Sequence, residues 1–228
     1  MTIAPAQQIP LDLGHRTALG REDFLIAPCN QDAVGWIDRW PTWPSPAMIL
    51  QGPAASGKTH LGAVWKNTTN AVWVDAAQLA GGDANDLAGA GHVVVDHFVP
   101  WIGDRDAETT LFHLYNTMKD RGTTLLLTMR TAPGQIAFSL PDLSSRLRAA
   151  PVASIQAPDD TLLAALLVKL FADRQLQVTA DILTYVLPRM ERSFAAARDV
   201  VERADQLGLA EKKAITVSLM RRVLSGQD

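Results

Sequence analysis

The stretch "AMILQGPAASGKTH" at residues 47–60 decides the fold. A short apolar run leads into G-x-x-x-x-G-K-[ST] over "GPAASGKT" at 52–59, and a helical segment follows. Strand, glycine-rich turn and helix in that order are what a phosphate-binding loop requires. Gly52 and Gly57 permit the tight turn, and the backbone of Gly52, Pro53, Ala54, Ala55, Ser56 and Gly57 forms the cradle into which N–H groups point. Lys58 is expected to reach the β- and γ-phosphates of a nucleotide, and the Thr59 hydroxyl to coordinate magnesium.

Working outward, "AVWVDA" (71–76), "HVVVD" (92–96), "TLLLTM" (124–129) and "VASIQA" (152–157) join "AMILQG" (47–52) as short β-rich runs separated by helical segments. That alternation predicts a parallel sheet covered on both faces. "NQDAVGWIDRW" offers Asn30 as an N-cap for an early helix, which "PTWPSP" ends. From Asp159 onward the strands stop. "DDTLLAALLVKLFADRQ", "ADILTYVLPRM", "SFAAARDVVERADQLG" and "TVSLMRRVLSG" read as four helices, with Asp159 or Asp160 capping the first and Thr216 the last. The expected class is α/β: a flexible arm over 1–19, a P-loop parallel-sheet domain over 20–157, and a small all-helical lid over 158–228.

"VVVDHF" at 93–98 carries the second part of the site. Asp96, at the end of its strand, is the acid that would hold magnesium beside Thr59. The next residue is His97, where a hydrolytic nucleotidase puts glutamate. An imidazole with a pKa near ~6.5 is a poor substitute for a carboxylate that orients and deprotonates water. Binding is expected to survive and intrinsic hydrolysis to be slow; packing or capping of the next loop by His97 is compatible with both.

Two arginines stand out. "PDLSSRL" (141–147) puts Arg146 on a short helix before the last strand, where it can face a neighbouring molecule and act on that molecule's nucleotide as an arginine finger. "MERSF" (190–194) puts Arg192 at the head of a lid helix, from which it could reach back onto bound phosphates. Each read alone is equally a solvated surface charge; the P-loop upstream is what favours the functional reading.

Composition sets limits. The 228 residues are 47% hydrophobic, enough for a substantial core. Lys and Arg number 21 against 24 Asp and Glu, a net charge of -3, which gives no support to a protein that chiefly grips phosphate backbone. The single Cys29 forms no internal disulfide, and neither a signal peptide nor a membrane span is expected, so a cytoplasmic location is inferred.

Taken together, "DFLIAPCNQDAV", "GPAASGKTH", "VVVD", "TLLLTMRTAP", "LPDLSSRL" and "MERSF" resemble the AAA+ domain of the replication initiator DnaA over nearly all of 20–225. The resemblance implies an AAA+ fold, ADP or ATP with Mg2+ as ligands, and a loop from Phe24 to Asn30 flanking adenine. It makes Arg146 the arginine finger and Arg192 the second sensor. It leaves open whether Thr128 or Arg130 of "TMRT" is the first sensor. The chain stops where DnaA continues into a DNA-binding domain. Near its other end, "QIPLDL" (8–13) resembles the peptide that replication proteins insert into the sliding clamp, with Gln8, Ile9, Leu11 and Leu13 as the contacting side chains. That arrangement is similar to the Hda-type regulators of the DnaA family, which bind the clamp and promote hydrolysis of DnaA-bound ATP. The implied partners are DnaA and the clamp, with DNA reached only through the clamp, no membrane, a place at the replisome and a possible homodimer. An AAA+ ATPase resembling a helicase or clamp loader, and a nucleotide-binding scaffold for other partners, remain alternatives.

Overall fold

The computed structural model describes residues 24–89 and 91–226. The arm, and with it Gln8, Ile9, Leu11 and Leu13, lies outside the described residues. In chain order the elements are α1 (Gln31–Asp38), β1 (Ala47–Gln51), α2 (Lys58–Thr69), β2 (Val72–Asp75), α3 (Ala84–Ala88), β3 (Val93–Asp96), α4 (Arg105–Arg121), β4 (Leu125–Met129), α5 (Pro141–Ala149) and β5 (Val152–Ser154). After them come α6 (Asp160–Asp173), α7 (Ala180–Val186), α8 (Phe194–Glu211) and α9 (Val217–Ser225).

Among the described residues the strands form one sheet in the order β2-β3-β4-β1-β5, with every pairing parallel. Parallel strands require crossovers, and the intervening helices fall on both faces. Side-chain alternation assigns the faces. Ile49, Val93, Val95, Leu125 and Leu127 join Ala88, Leu111, Leu114, Leu143 and Leu147 of α3, α4 and α5 in one core. Met48, Leu50, Val94, Leu126 and Ala153 join Ala33, Leu61, Trp65 and Leu162 of α1, α2 and α6 in the other. The consecutive Leu125, Leu126 and Leu127 are all fully buried, which only a sheet covered on both sides allows; each such leucine contributes about 1.5–3 kcal/mol.

A third core holds the C-terminal helices together, with Leu163, Leu167, Phe171, Val186, Val201 and Met220 at its centre. The seam to the sheet is made by Leu162 and Phe194, which belong to the second core. The lid is thereby packed beside α2 and the glycine-rich turn.

Capping follows the sequence in most places. The Asp159 carboxylate accepts from the Leu162 N–H at 2.7 Å, and the Thr216 hydroxyl oxygen from the Leu219 N–H at 3.2 Å. Asn30 differs. It stands at the N-cap position of α1 but makes no side-chain cap. Its Oδ1 accepts from the Ala27 N–H and its Nδ2 donates to the Leu25 carbonyl, both at 2.8 Å. The amide is used to fold residues 25–30 into a compact turn that lies against the glycine-rich loop.

Candidate nucleotide site

The site is built where the chain leaves β1. Gly57 has φ of +91° and Ala55 of +59°, so the turn passes twice through the left-handed region. A side chain at Gly52 would bring its Cβ within 2.9 Å of Ile155 Cβ, and one at Gly57 within 2.7 Å of the Phe24 ring. Both glycines are required by close approach, and Gly57 by conformation as well.

Lys58 opens α2 and is buried. Its ammonium donates to the carbonyls of Gly52 at 2.9 Å and Pro53 at 2.7 Å, so the loop wraps the cation in its own oxygens. Burial, helped by the nearby charge of Arg130 and opposed by Asp96, lowers its pKa from 10.5 to about 8. The cation is thus poorly solvated and only partly compensated, the condition in which an anion is a favourable partner.

Asp96 ends β3 and is held at both oxygens. Oδ2 accepts from the Thr59 hydroxyl at 3.0 Å, and Oδ1 from the Thr128 hydroxyl of β4. Thr128 is buried, and its oxygen in turn accepts from the His97 backbone N–H at 3.0 Å. Two strand ends and the head of α2 therefore meet at one carboxylate. His97 itself is exposed, with φ of +60°, in a left-handed turn that directs the chain away from the strand.

The donor set suits magnesium: a hydroxyl and a carboxylate oxygen, both hard ligands, adjacent to a phosphate cradle. Among the described residues no group of three or more His, Cys, Asp and Glu could hold a metal, so a cation here would draw its remaining ligands from phosphate oxygens and water.

Beside the loop a pocket opens between the sheet and the lid, lined by Phe24, His60, Leu166, Phe194 and Arg198 among others. The rings of Phe24 and His60 meet edge to face with centroids 5.4 Å apart. The walls are apolar on two sides with cations at the rim, which suits a flat aromatic base. Arg198 was not singled out from the sequence. It follows the buried Phe194 by four positions on α8, so helical spacing from that one anchor aims it at the same side.

Neither of the two arginines singled out from the sequence lines this pocket. Arg192 lies just before α8, well exposed, and its Nε contacts Asp160 Oδ1 at 2.9 Å while Nη2 donates to Oδ2 at 3.0 Å. It does not line the pocket. Arg146 lies on α5, across the sheet from α2. Its guanidinium stacks 4.3 Å over the Phe112 ring and 5.5 Å from that of Tyr115, and its Nη1 is buried without a hydrogen-bond partner. Of the two first-sensor candidates, Thr128 touches Asp96, whereas Arg130 is exposed and acts on Lys58 through its charge.

This arrangement of sheet, loop and lid was compared with known proteins. No protein-family model matches the chain. Among solved structures, domain III of the Thermotoga maritima replication initiation protein DnaA superposes with a TM-score of 0.76 at 16% identity, over 96% of this chain and 98% of that one. The chain has the fold of the AAA+ domain of DnaA. AMPPCP-bound DnaA from Aquifex aeolicus gives 0.70 at 15% identity, over 90% of this chain and 68% of that one. The RuvB Holliday junction branch migration motor of Thermotoga maritima gives 0.61 at 14% identity, over 87% and 66%.

The Lys58 environment predicts a pH dependence. Between about pH 8 and 10.5 the folded chain binds fewer protons at Lys58 than the unfolded chain, so stability contributed here rises with pH through that window. Relative to Lys58→Met, the ligand-free wild type gains on the order of 2 kcal/mol over that range. Denaturant unfolding of both proteins at pH 7.5 and 10.5 checks this; parallel pH profiles contradict it.

Proposed function

We propose that this protein is a nucleotide-binding AAA+ regulator of replication initiation, of the Hda type, which binds the sliding clamp and promotes hydrolysis of DnaA-bound ATP. The observation that carries the reading is a complete phosphate cradle next to a missing carboxylate. The buried, poorly compensated Lys58 and the Thr59–Asp96 contact support ADP or ATP with Mg2+ as the ligand, and the residue after Asp96 is an exposed histidine at positive φ. Such a site holds a nucleotide and turns it over slowly. The likeness to AMPPCP-bound DnaA supports the ligand class.

When bound, Mg2+ would supply charge neutralisation at the phosphates, held by Thr59 and Asp96. The chain's own residues do the rest. Lys58 exchanges two loop carbonyls for phosphate oxygens, the Phe24 and His60 rings border the base, and Arg198 at the lid completes the closure. Arg192, tied to Asp160, joins the start of α8 to the start of α6 within the lid. The nucleotide is then a structural ligand that sets the surface offered to a partner.

On that surface Arg146 is the group that acts. In the partner, water attacks the γ-phosphorus and the bond to the β–γ bridging oxygen breaks, giving ADP and phosphate. Negative charge spreads over the γ-phosphoryl oxygens, and a planar guanidinium from a second molecule can contact two of them. Nη1 of Arg146 is buried and makes no hydrogen bond within the chain, so swinging the guanidinium off the Phe112 ring toward a partner's phosphate would break no hydrogen bond at that nitrogen.

The clamp is assigned to Gln8, Ile9, Leu11 and Leu13, and DNA would be reached only through it. Among the described residues no helix is long and apolar enough to cross a membrane. A homodimer would present the same α5 face that DnaA would use.

Two experiments test this. Burying Leu11 and Leu13 in a clamp groove is worth roughly 1.5–3 kcal/mol each, so changing both to Ala should lower clamp retention a hundredfold or more with no change in thermal midpoint; retention at the wild-type level removes the clamp from the account. Arg146→Ala should keep nucleotide and clamp yet lose roughly 10³-fold or more of the stimulation of ATP hydrolysis by DnaA on clamp-loaded DNA, with Arg148→Ala as control. Undiminished stimulation by Arg146→Ala excludes it as the finger.

A further inference from the structure

One buried charge serves neither the phosphates nor any cation. Glu108, in the first turn of α4, has no exposed surface and pairs with no cation among the described residues. Its oxygens accept three backbone N–H groups. Oε1 takes Gly103 at 2.8 Å and Ser139 at 3.1 Å, and Oε2 takes Leu140 at 2.7 Å.

We propose that Glu108 is the positioning residue for Arg146, fixing α5 against both α4 and the loop that leaves Asp96; this rests on the role given to Arg146 above. Leu140 is the N-cap residue of α5 and has no side chain able to cap it, and Pro141 follows at the first position. The helix therefore begins without a cap of its own. The Glu108 carboxylate supplies one from the neighbouring helix, binding the two N–H groups that precede the first turn and placing negative charge at the positive end of the helix dipole.

Geometry links this anchor to Arg146. Glu108 and Phe112 are four residues apart on α4 and share a face. α5 is thus tied to α4 at two points: its start at Glu108, and the Arg146 guanidinium over Phe112. The third N–H comes from Gly103, with φ of +91°, at the end of the segment that begins with His97. The Ser139 hydroxyl also donates to the Gly103 carbonyl at 3.3 Å. The segment leaving the magnesium-binding strand and the segment entering the arginine helix are joined at one carboxylate.

An apolar residue would fill this space without the cost of burying a carboxylate. Only a group with two acceptor oxygens can serve three donors from two loops. A glutamine has one acceptor oxygen, and its NH2 must then confront either the Leu140 N–H or those of Gly103 and Ser139.

The test is Glu108→Gln in the full chain, read in two ways. First, with DnaA carrying labelled ATP on clamp-loaded DNA, the maximal rate of stimulated hydrolysis should fall tenfold or more. The concentration for half-maximal stimulation should be unchanged, and Glu108→Gln should cause no further loss in an Arg146→Ala background. Second, the Arg146 Nε–H resonance, expected upfield in the wild type because the guanidinium stacks over the Phe112 ring, should move toward the free-arginine position in Glu108→Gln. A merely structural role would lower the thermal midpoint and leave that resonance in place. An unmoved resonance in the folded variant overturns the proposal, whatever the hydrolysis rate. A moved resonance with no stimulation even by wild type leaves the positioning role standing and sinks the proposed function instead. If Glu108→Gln does not fold, Glu108→Asp, which keeps the charge but shortens the reach, is read by the same two measurements.

Discussion

The Asp96 carboxylate is the joint on which the rest of the site depends. One oxygen is bound by Thr59 at the head of α2 and the other by Thr128 on β4, so the ends of β3 and β4 and the start of α2 are locked in relation to one another. A parallel sheet makes this possible, because adjacent strands all end on the same edge. Thr128 also binds the His97 N–H, and this bond turns the chain out of β3 at the point where a catalytic carboxylate would need to point inward. The same small network that holds the Asp96 carboxylate therefore directs the next residue away from it.

Around that joint the protein separates holding from acting. Lys58, wrapped in loop carbonyls with a lowered pKa, is prepared for an anion on one side of the sheet. Arg146, stacked on Phe112 with one buried nitrogen unpartnered, lies on the other. Neither reaches the other's ligand, and in the functional reading they serve two different nucleotides. The connection between them runs through the Glu108 carboxylate: the segment leaving Asp96 ends at Gly103, whose N–H shares Glu108 with the two residues that precede the arginine helix.

Much of the fold was legible because its signals are local. "GPAASGKT" fixes a turn by sterics, "VVVD" and "TLLLTM" mark strands buried on both faces, and Asp159 and Thr216 mark helix starts. The site was legible only where a motif names a residue. Arg192 precedes a helix as read, but Asp160 lies close enough to pair with it, a contact of two segments 32 residues apart. Arg198 was missed because its aim depends on how α8 packs through Phe194, which periodicity alone does not give. Glu108 was missed because a glutamate in a first helical turn normally reads as a solvated favourable charge; its burial follows from the packing of 103 and 139–140 over it. Asn30 was read as a cap because its type and place fit, yet two backbone groups of the preceding turn compete for its amide and win.

The central claim is that the chain holds a nucleotide without consuming it, and single-turnover hydrolysis by the isolated protein tests it most directly. With ATP and Mg2+ preloaded and the chain in excess, the account predicts saturable binding with bound ATP that outlasts the time in which the same preparation drives DnaA to hydrolyse its own. A hydrolytic burst at rates of ordinary enzymes, on the order of 1 s⁻¹ or faster, would contradict it, since it would mean that the base absent at His97 is supplied from elsewhere in the site.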